Sequence, residues 1–134
     1  MAIDLGAAAK GYLSQKIIDL CKEKKVISCI LSLGGNVQTI GMKPDDTEYT
    51  VGITDPSDGS SIYGTVKVKD KAVITSGIYQ RNFKKDGKLY HHIMDKRTGM
   101  PADNNLASVT VIAENGAMAD AYAVSYTHLR AHET

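Results

Sequence analysis

Helical periodicity occurs in only two places in this chain, one near each end, and that constrains its fold more than any other feature. From Ala8 onward, Leu13, Ile17, Leu20 and Cys21 recur at the spacing of one apolar helix face. Lys16, Lys22, Glu23, Lys24 and Lys25 fall on the wet face and the C-terminal turn, where cations suit the helix dipole. A second helix begins near Ala117 and runs through Met118, Ala119, Asp120, Ala121 and Ala123. Between them, residues 26–33, 37–41, 49–53, 62–70, 72–75 and 106–113 have strand length or strand alternation. The run 26–33 reads as a buried strand. Turn-forming clusters such as Gly34-Gly35-Asn36 and Lys43-Pro44-Asp45-Asp46 separate these runs. Residues 79–83 and 89–92 flank Lys85-Asp86-Gly87 as a hairpin. The pattern predicts an α+β fold, a mainly antiparallel sheet packed by two helices.

The 134 residues allow one domain around one core. A hydrophobic content of 43% and a charged content of 23% are ordinary for a soluble globular protein. The net charge of +1 leaves no electrostatic footprint for nucleic acid or a membrane surface. One Phe and no Trp, against seven Tyr, argue against a base-stacking platform. Cys21 and Cys29 lack metal-binding spacing and read as buried thiols acting as small hydrophobes. No signal segment and no apolar run long enough to span a bilayer is visible. Residues 125–134 abandon the apolar period of the preceding helix and look like translated cloning or sequencing-adapter sequence. The domain is therefore read as residues 1–123, with 124–134 set apart as a candidate non-native tail.

Folding alone explains least well the stretch Tyr90-His91-His92-Ile93-Met94-Asp95-Lys96-Arg97-Thr98-Gly99-Met100-Pro101. It gathers histidines, an acid, bases and a hydroxyl in one loop, and surface loops of this kind tend to carry function. Three pieces stand out together: the helix start from Asp4 to Lys10, the His92 loop and Asp120. Magnesium needs only one or two carboxylates or carbonyls beside substrate phosphates. A helix N-terminus with a lysine would meet a phosphate's charge. His92 could take a proton from an attacking hydroxyl. Plainer roles stand beside these: Asp4 as a helix cap, His92 as a structural histidine, and Gly34-Gly35 as a turn.

The motifs add a family resemblance. Asp4-Leu5-Gly6-Ala7-Ala8-Ala9-Lys10-Gly11-Tyr12 resembles the DLGxxAKGY segment of the FAD:protein FMN transferases, the ApbE-like flavin transferases. Leu33-Gly34-Gly35-Asn36 is similar to their LGG(D/N) turn, and Thr75-Ser76-Gly77 to their TSG. The run from His92 to Pro101 resembles HIIDPRTGxP, and Ala107–Val111 followed by Ala119-Asp120-Ala121 resembles the closing strand and helix. The resemblance implies a fragment of the flavin transferase fold, its C-terminal portion. It also implies an enzyme that binds FAD and Mg2+, joins FMN to a Thr or Ser hydroxyl of an acceptor flavoprotein, and releases AMP.

On that resemblance Asp4 and Lys10 contact FAD, with Gly34, Gly35 and Ile93 or Met94 also against the nucleotide. The Ala7 carbonyl and the Asp120 carboxylate hold magnesium, and His92 is the base. Asp95, Arg97, Thr98 and Gly99 are expected to shape the loop. The resemblance further implies an extracytoplasmic location, with any membrane anchor outside this chain. Two departures leave alternatives open. The family's D-A-x-x-T metal motif has Val124 where a threonine belongs, and members extend upstream with further strands and part of the FAD pocket. The alternatives are an FAD pyrophosphatase giving FMN and AMP, and a non-catalytic flavin-binding module.

Overall fold

The computed structural model describes residues 5–79, 82–95, 97–102 and 105–128. The elements run α1 (Ala9–Glu23), β1 (Cys29–Leu33), β2 (Asn36–Ile40), β3 (Tyr49–Thr54), β4 (Ile62–Val68) and β5 (Ala72–Gly77). They continue β6 (Asn82–Lys85), β7 (Lys88–His91), β8 (Met94–Asp95), β9 (Met100–Pro101), β10 (Ser108–Ala113) and α2 (Gly116–His128). The described pairings are all antiparallel, as the short turns require. The main sheet has the order β1-β2-β5-β10, and β3–β4, β6–β7 and β8–β9 form two-stranded ribbons. The predicted α+β architecture is the one observed.

Local chemistry fixes the central register. Gly34 and Gly35 close the β1–β2 hairpin at φ 55° and 93°, a pair of positive values that two glycines adopt without a Cβ penalty. Leu33 then pairs with Asn36, and alternation carries Asn36, Gln38 and Ile40 to one face of β2. On that face Ala72 and Ile74 pack against Ala119 and Ala123 of α2. The two alanines, four residues apart, leave room for Ile74 to lie close to the helix. On the other face Val73 packs with Val51 and Val68 of the β3–β4 ribbon. The sheet is thus covered by helices on one side and by a ribbon on the other.

Three expectations change. The inward face of α1 is Gly11, Ser14 and Ile18, not the Leu13–Ile17–Leu20–Cys21 stripe. Leu13 and Leu20 are 55% and 52% exposed. The reason is tertiary: α1 meets α2 at Gly11 and the buried amide of Gln38 at Ser14, so small and hydrogen-bonding residues fit there. The run 26–33 is not a buried strand either. Its pairing starts at Cys29, it lies at the sheet edge, and Ile27 is 86% exposed. Cys21 and Cys29 are free and half-buried, and burial together with the adjacent Cys21 thiol pushes Cys29 up, keeping it protonated.

The C-terminal end of α1 also has a specific cause. Lys25 sits at φ 60° and closes α1, with Val26 N–H donating to Cys21 O at 2.9 Å and Lys25 N–H to Lys22 O at 2.9 Å. This is the paired-bond ending in which a left-handed residue satisfies the last carbonyls. At the other end of the chain α2 continues through Val124 to His128, and Thr127 is buried with its hydroxyl 3.2 Å from that of Ser76. Residues 129–134 lie outside the described part.

Ile74 is fully buried between α2 and the sheet. Ile74→Ala should cost about 3 kcal/mol through lost transfer energy and the cavity left behind. Urea unfolding with the slope m unchanged measures that loss, and a shift under about 1 kcal/mol would place the core elsewhere.

Candidate nucleotide and metal site

The site is built on the first turn of α1. A helix start leaves four backbone N–H groups without partners inside the helix. Ala8, the N-cap, has no side chain that can accept one. Ala8 and Ala9 N–H donate to Leu5 O at 3.0 and 2.9 Å. Gly11 N–H donates to Asp120 Oδ2 at 2.7 Å, so a carboxylate from α2 caps α1 across the fold. The regular acceptor for Gly11 N–H is the Ala7 carbonyl, four residues back. With that amide committed to Asp120, no donor among the described residues reaches Ala7 O.

Asp120 is only 5% exposed, and no described Lys, Arg or His forms an ion pair with it. A buried carboxylate without a cation is costly, and the dipole at the start of α1 offsets only part of that. Among the described residues there is no cluster of three or more His, Cys, Asp or Glu that could hold a metal. One carboxylate and one carbonyl nonetheless fit magnesium, a hard cation that fills its remaining positions with water and phosphate oxygens. The donor set does not suit zinc, which prefers nitrogen and sulfur ligands.

Neighbouring contacts fasten this corner. Lys10 Nζ donates to Gly34 O at 3.2 Å, tying the start of α1 to the β1–β2 turn. Gln38 Nε2 donates to Ser14 Oγ at 2.6 Å, and Ser14 Oγ to Gly11 O at 3.0 Å. Gly116 N–H, at the start of α2, donates to Gln15 Oε1 at 2.7 Å. Lys10, Gly34 and Asp120 are therefore brought to one corner, with Ala7 and Gly35 next along the chain. Asp4 lies outside the described residues. Gly11, Ser14, Gln15 and Gln38 were not foreseen from sequence. Only Gly11 carried a signal, as the glycine of Ala9-Lys10-Gly11-Tyr12.

His92 and Ile93 on the β7–β8 connection, and Met94 at the start of β8, form a second group outside the main sheet and the helices. His92 is exposed, Ile93 is 2% exposed, and Met94 is exposed. Of the two candidates for nucleotide contact, Met94 is the one that presents its side chain outward. The following turn holds itself together. Asp95 Oδ1 accepts Arg97 N–H at 2.8 Å, Arg97 Nη2 meets Oδ2 at 3.0 Å, and Gly99 N–H donates to Asp95 O at 2.8 Å. On the ribbon side of the sheet a cavity of about 90 Å³ is lined by Gly35, Val73, Thr75 and Tyr79 among others. That volume is far below what a flavin needs.

Comparison with known proteins decides the family. The ApbE family profile matches residues 1–134. The chain belongs to the ApbE family. It is 43% identical over 114 residues to a FAD:protein FMN transferase of Klebsiella pneumoniae, covering 84% of this chain and 34% of that protein. It is 41% identical over 134 residues to one of Treponema pallidum, covering 93% and 37%. The chain thus spans about a third of the length of these curated relatives. Among solved structures, the ApbE protein of Thermotoga maritima superposes with a TM-score of 0.88 at 36% identity, covering 98% of this chain and 42% of that one. The flavin transferase ApbE of Vibrio cholerae gives 0.83 at 28%, covering 97% and 41%.

Within this ApbE-family chain, the helix face of Asp120 lacks the hydroxyl expected four residues on. Val124 occupies that position, and the Ser125 hydroxyl donates to its own helix at Ala121 O, 2.7 Å away. Beside the exposed His92, His91 is half-buried, and its Nδ1 is enclosed with no hydrogen-bond partner among the described residues. Burial holds His91 below the usual histidine value, with contacts to backbone groups of Ala102 and Ile93 acting the other way. The unfolded chain therefore binds the proton more readily. His91 contributes stability that is present above about pH 6.5 and lost as pH falls from there toward the folded value. In urea titrations at a series of pH values, His91→Phe should flatten that acid loss. An unchanged slope would assign the acid sensitivity to other groups.

Proposed function

We propose that this chain carries part of the active site of a magnesium-dependent flavin transferase. The enzyme moves FMN from FAD to a Thr or Ser hydroxyl of an acceptor protein and releases AMP. The observation that carries the reading is the pair of oxygens at the α1–α2 corner. Among the described residues, the buried Asp120 carboxylate has no cationic partner and the Ala7 carbonyl no donor. The names of the relatives supply the reaction class.

The residues divide the work as follows. Ala7 O and the Asp120 carboxylate would hold Mg2+, which neutralises and polarises phosphoryl oxygens when bound. Lys10 has three donors, so it can keep Gly34 O and still meet a pyrophosphate oxygen. Asp4, Gly34, Gly35 and Met94 complete the nucleotide contacts, and Ile93 supports them from within the loop. His92 accepts the proton as the acceptor's hydroxyl oxygen bonds to the FMN-side phosphorus. The bond from that phosphorus to the bridging oxygen breaks, and AMP departs with that oxygen. An exposed His92 suits a nucleophile presented by another protein. The same reading places the reaction outside the cytoplasm.

A chimera in which this chain replaces the matching part of the Treponema pallidum relative, with Val124→Thr, should show magnesium-dependent flavin fluorescence on an acceptor in a gel. Asp120→Asn in that chimera should lower the rate by about two orders of magnitude or more, since even outer partners of a metal are worth about 10- to 100-fold. A dark acceptor beside a working parent enzyme would remove the transferase reading.

Val124 favours a second reading, a flavin-binding module that turns over poorly because the cation lacks a hydroxyl ligand on α2. The two readings part on one substitution. Val124→Thr should raise both magnesium affinity and flavinylation rate in the chimera by about tenfold. Equal affinity and rate for the two residues would leave position 124 without a role in the site.

A further inference from the structure

We propose that Gly11 is the positioning residue of the metal site, setting both of its protein oxygens at once. The inference rests on the magnesium reading above. One N–H group links the two candidate ligands, which lie on α2 and on the turn before α1. By donating to Asp120 Oδ2 at 2.7 Å, it fixes which carboxylate oxygen remains for a cation. By leaving the Ala7 carbonyl, its regular helical acceptor, it frees that oxygen as well.

The position admits only glycine for a packing reason. A Cβ at Gly11 would run into Asp120 Cβ and the Gly116 carbonyl, and would lie 2.9 Å from Asp120 Oδ2. Helix α1 cannot retreat to make room without breaking its other ties. Gln15 Oε1 accepts Gly116 N–H at 2.7 Å, and Gln38 Nε2 holds Ser14 Oγ at 2.6 Å. A methyl group at position 11 would therefore push Asp120 off its line toward Ala7. An unengaged Gly11 N–H would turn back to Ala7 O and compete with the cation for it.

The test uses the 134-residue chain, with Mn2+ as a paramagnetic probe of the magnesium site. Free Mn2+ is followed by electron paramagnetic resonance, and folding by circular dichroism and thermal unfolding. Gly11→Ala should weaken Mn2+ binding at least about tenfold, the lower end for removal of a partner that orients a ligand. Gly64→Ala, at a glycine with open space around it, should leave the affinity unchanged. In an Asp120→Asn background, Gly11→Ala should cost less affinity than it does in the wild-type chain, because only the Ala7 oxygen is left for it to disturb.

Should the alanine variant fail to fold, a backbone ester with glycolate at position 11 deletes the N–H without adding atoms; Ala7 O then stays free, and binding should still weaken measurably because Asp120 loses the donor that orients it. A purely structural cap would lower the melting temperature and leave affinity alone. Wild-type Mn2+ affinity in a folded Gly11→Ala or ester variant overturns the inference and leaves the magnesium reading intact. No Mn2+ binding by the wild-type chain overturns the magnesium reading and the inference with it.

Discussion

The hydrogen bond from Gly11 N–H to Asp120 fixes more of this structure than its single 2.7 Å contact suggests. Helix α1 has no cap of its own, because an alanine precedes it. Helix α2 carries a carboxylate into a place where water is nearly absent. Each helix has what the other lacks, a negative group on one side and unsatisfied donors on the other. Asp120 follows Ala119 directly, so the bond sits on the same turn of α2 that packs on Ile74. The core and the candidate site are therefore geometrically one object, and a change at either is felt at the other.

The two groups of candidate site residues rest on different kinds of support. Lys10, Gly34 and Asp120 stand on two helices and a tight hairpin, tied by a buried Ser14–Gln38 bond and a partly buried one through Gln15. Supports of this sort hold ligands to a fraction of an ångström. His92 stands on a short connection between ribbons, steadied by the buried Ile93 and by the self-contained Asp95–Gly99 turn. The division matches the chemistry proposed above. Phosphates and a cation demand fixed distances, whereas a base that meets a hydroxyl on another protein must stand at the surface.

Much of this was legible in the sequence because it is local. Turn residues and strand alternation placed nearly every strand, and Gly34-Gly35 marked the central hairpin. The apolar stripe of α1 misled because periodicity reports an amphipathic helix without saying which neighbour it meets. Here that neighbour is a polar strand face and a second helix at close range, so Ser14 goes inward and Leu13 outward. Which of Ile93 and Met94 faces out follows from the backbone path of the loop, which adjacent letters do not encode. The Gly11–Asp120 bond spans 109 positions in the chain, and no window along the sequence contains both partners.

The outer side of α1 and the free edge of β1 have a consequence for the chain in solution. Leu13 and Leu20 lie bare on α1, Ile27 just before β1 and Ile30 on it, and the outer edge of β1 pairs with no other strand among the described residues. Bare edges of this kind invite another chain to add itself. What stands against that here is charge. Lys22, Glu23, Lys24 and Lys25 crowd the approach to β1, and three of those four carry the same sign. In this 134-residue chain a short cationic segment thus stands beside an apolar sheet edge, well away from the candidate site.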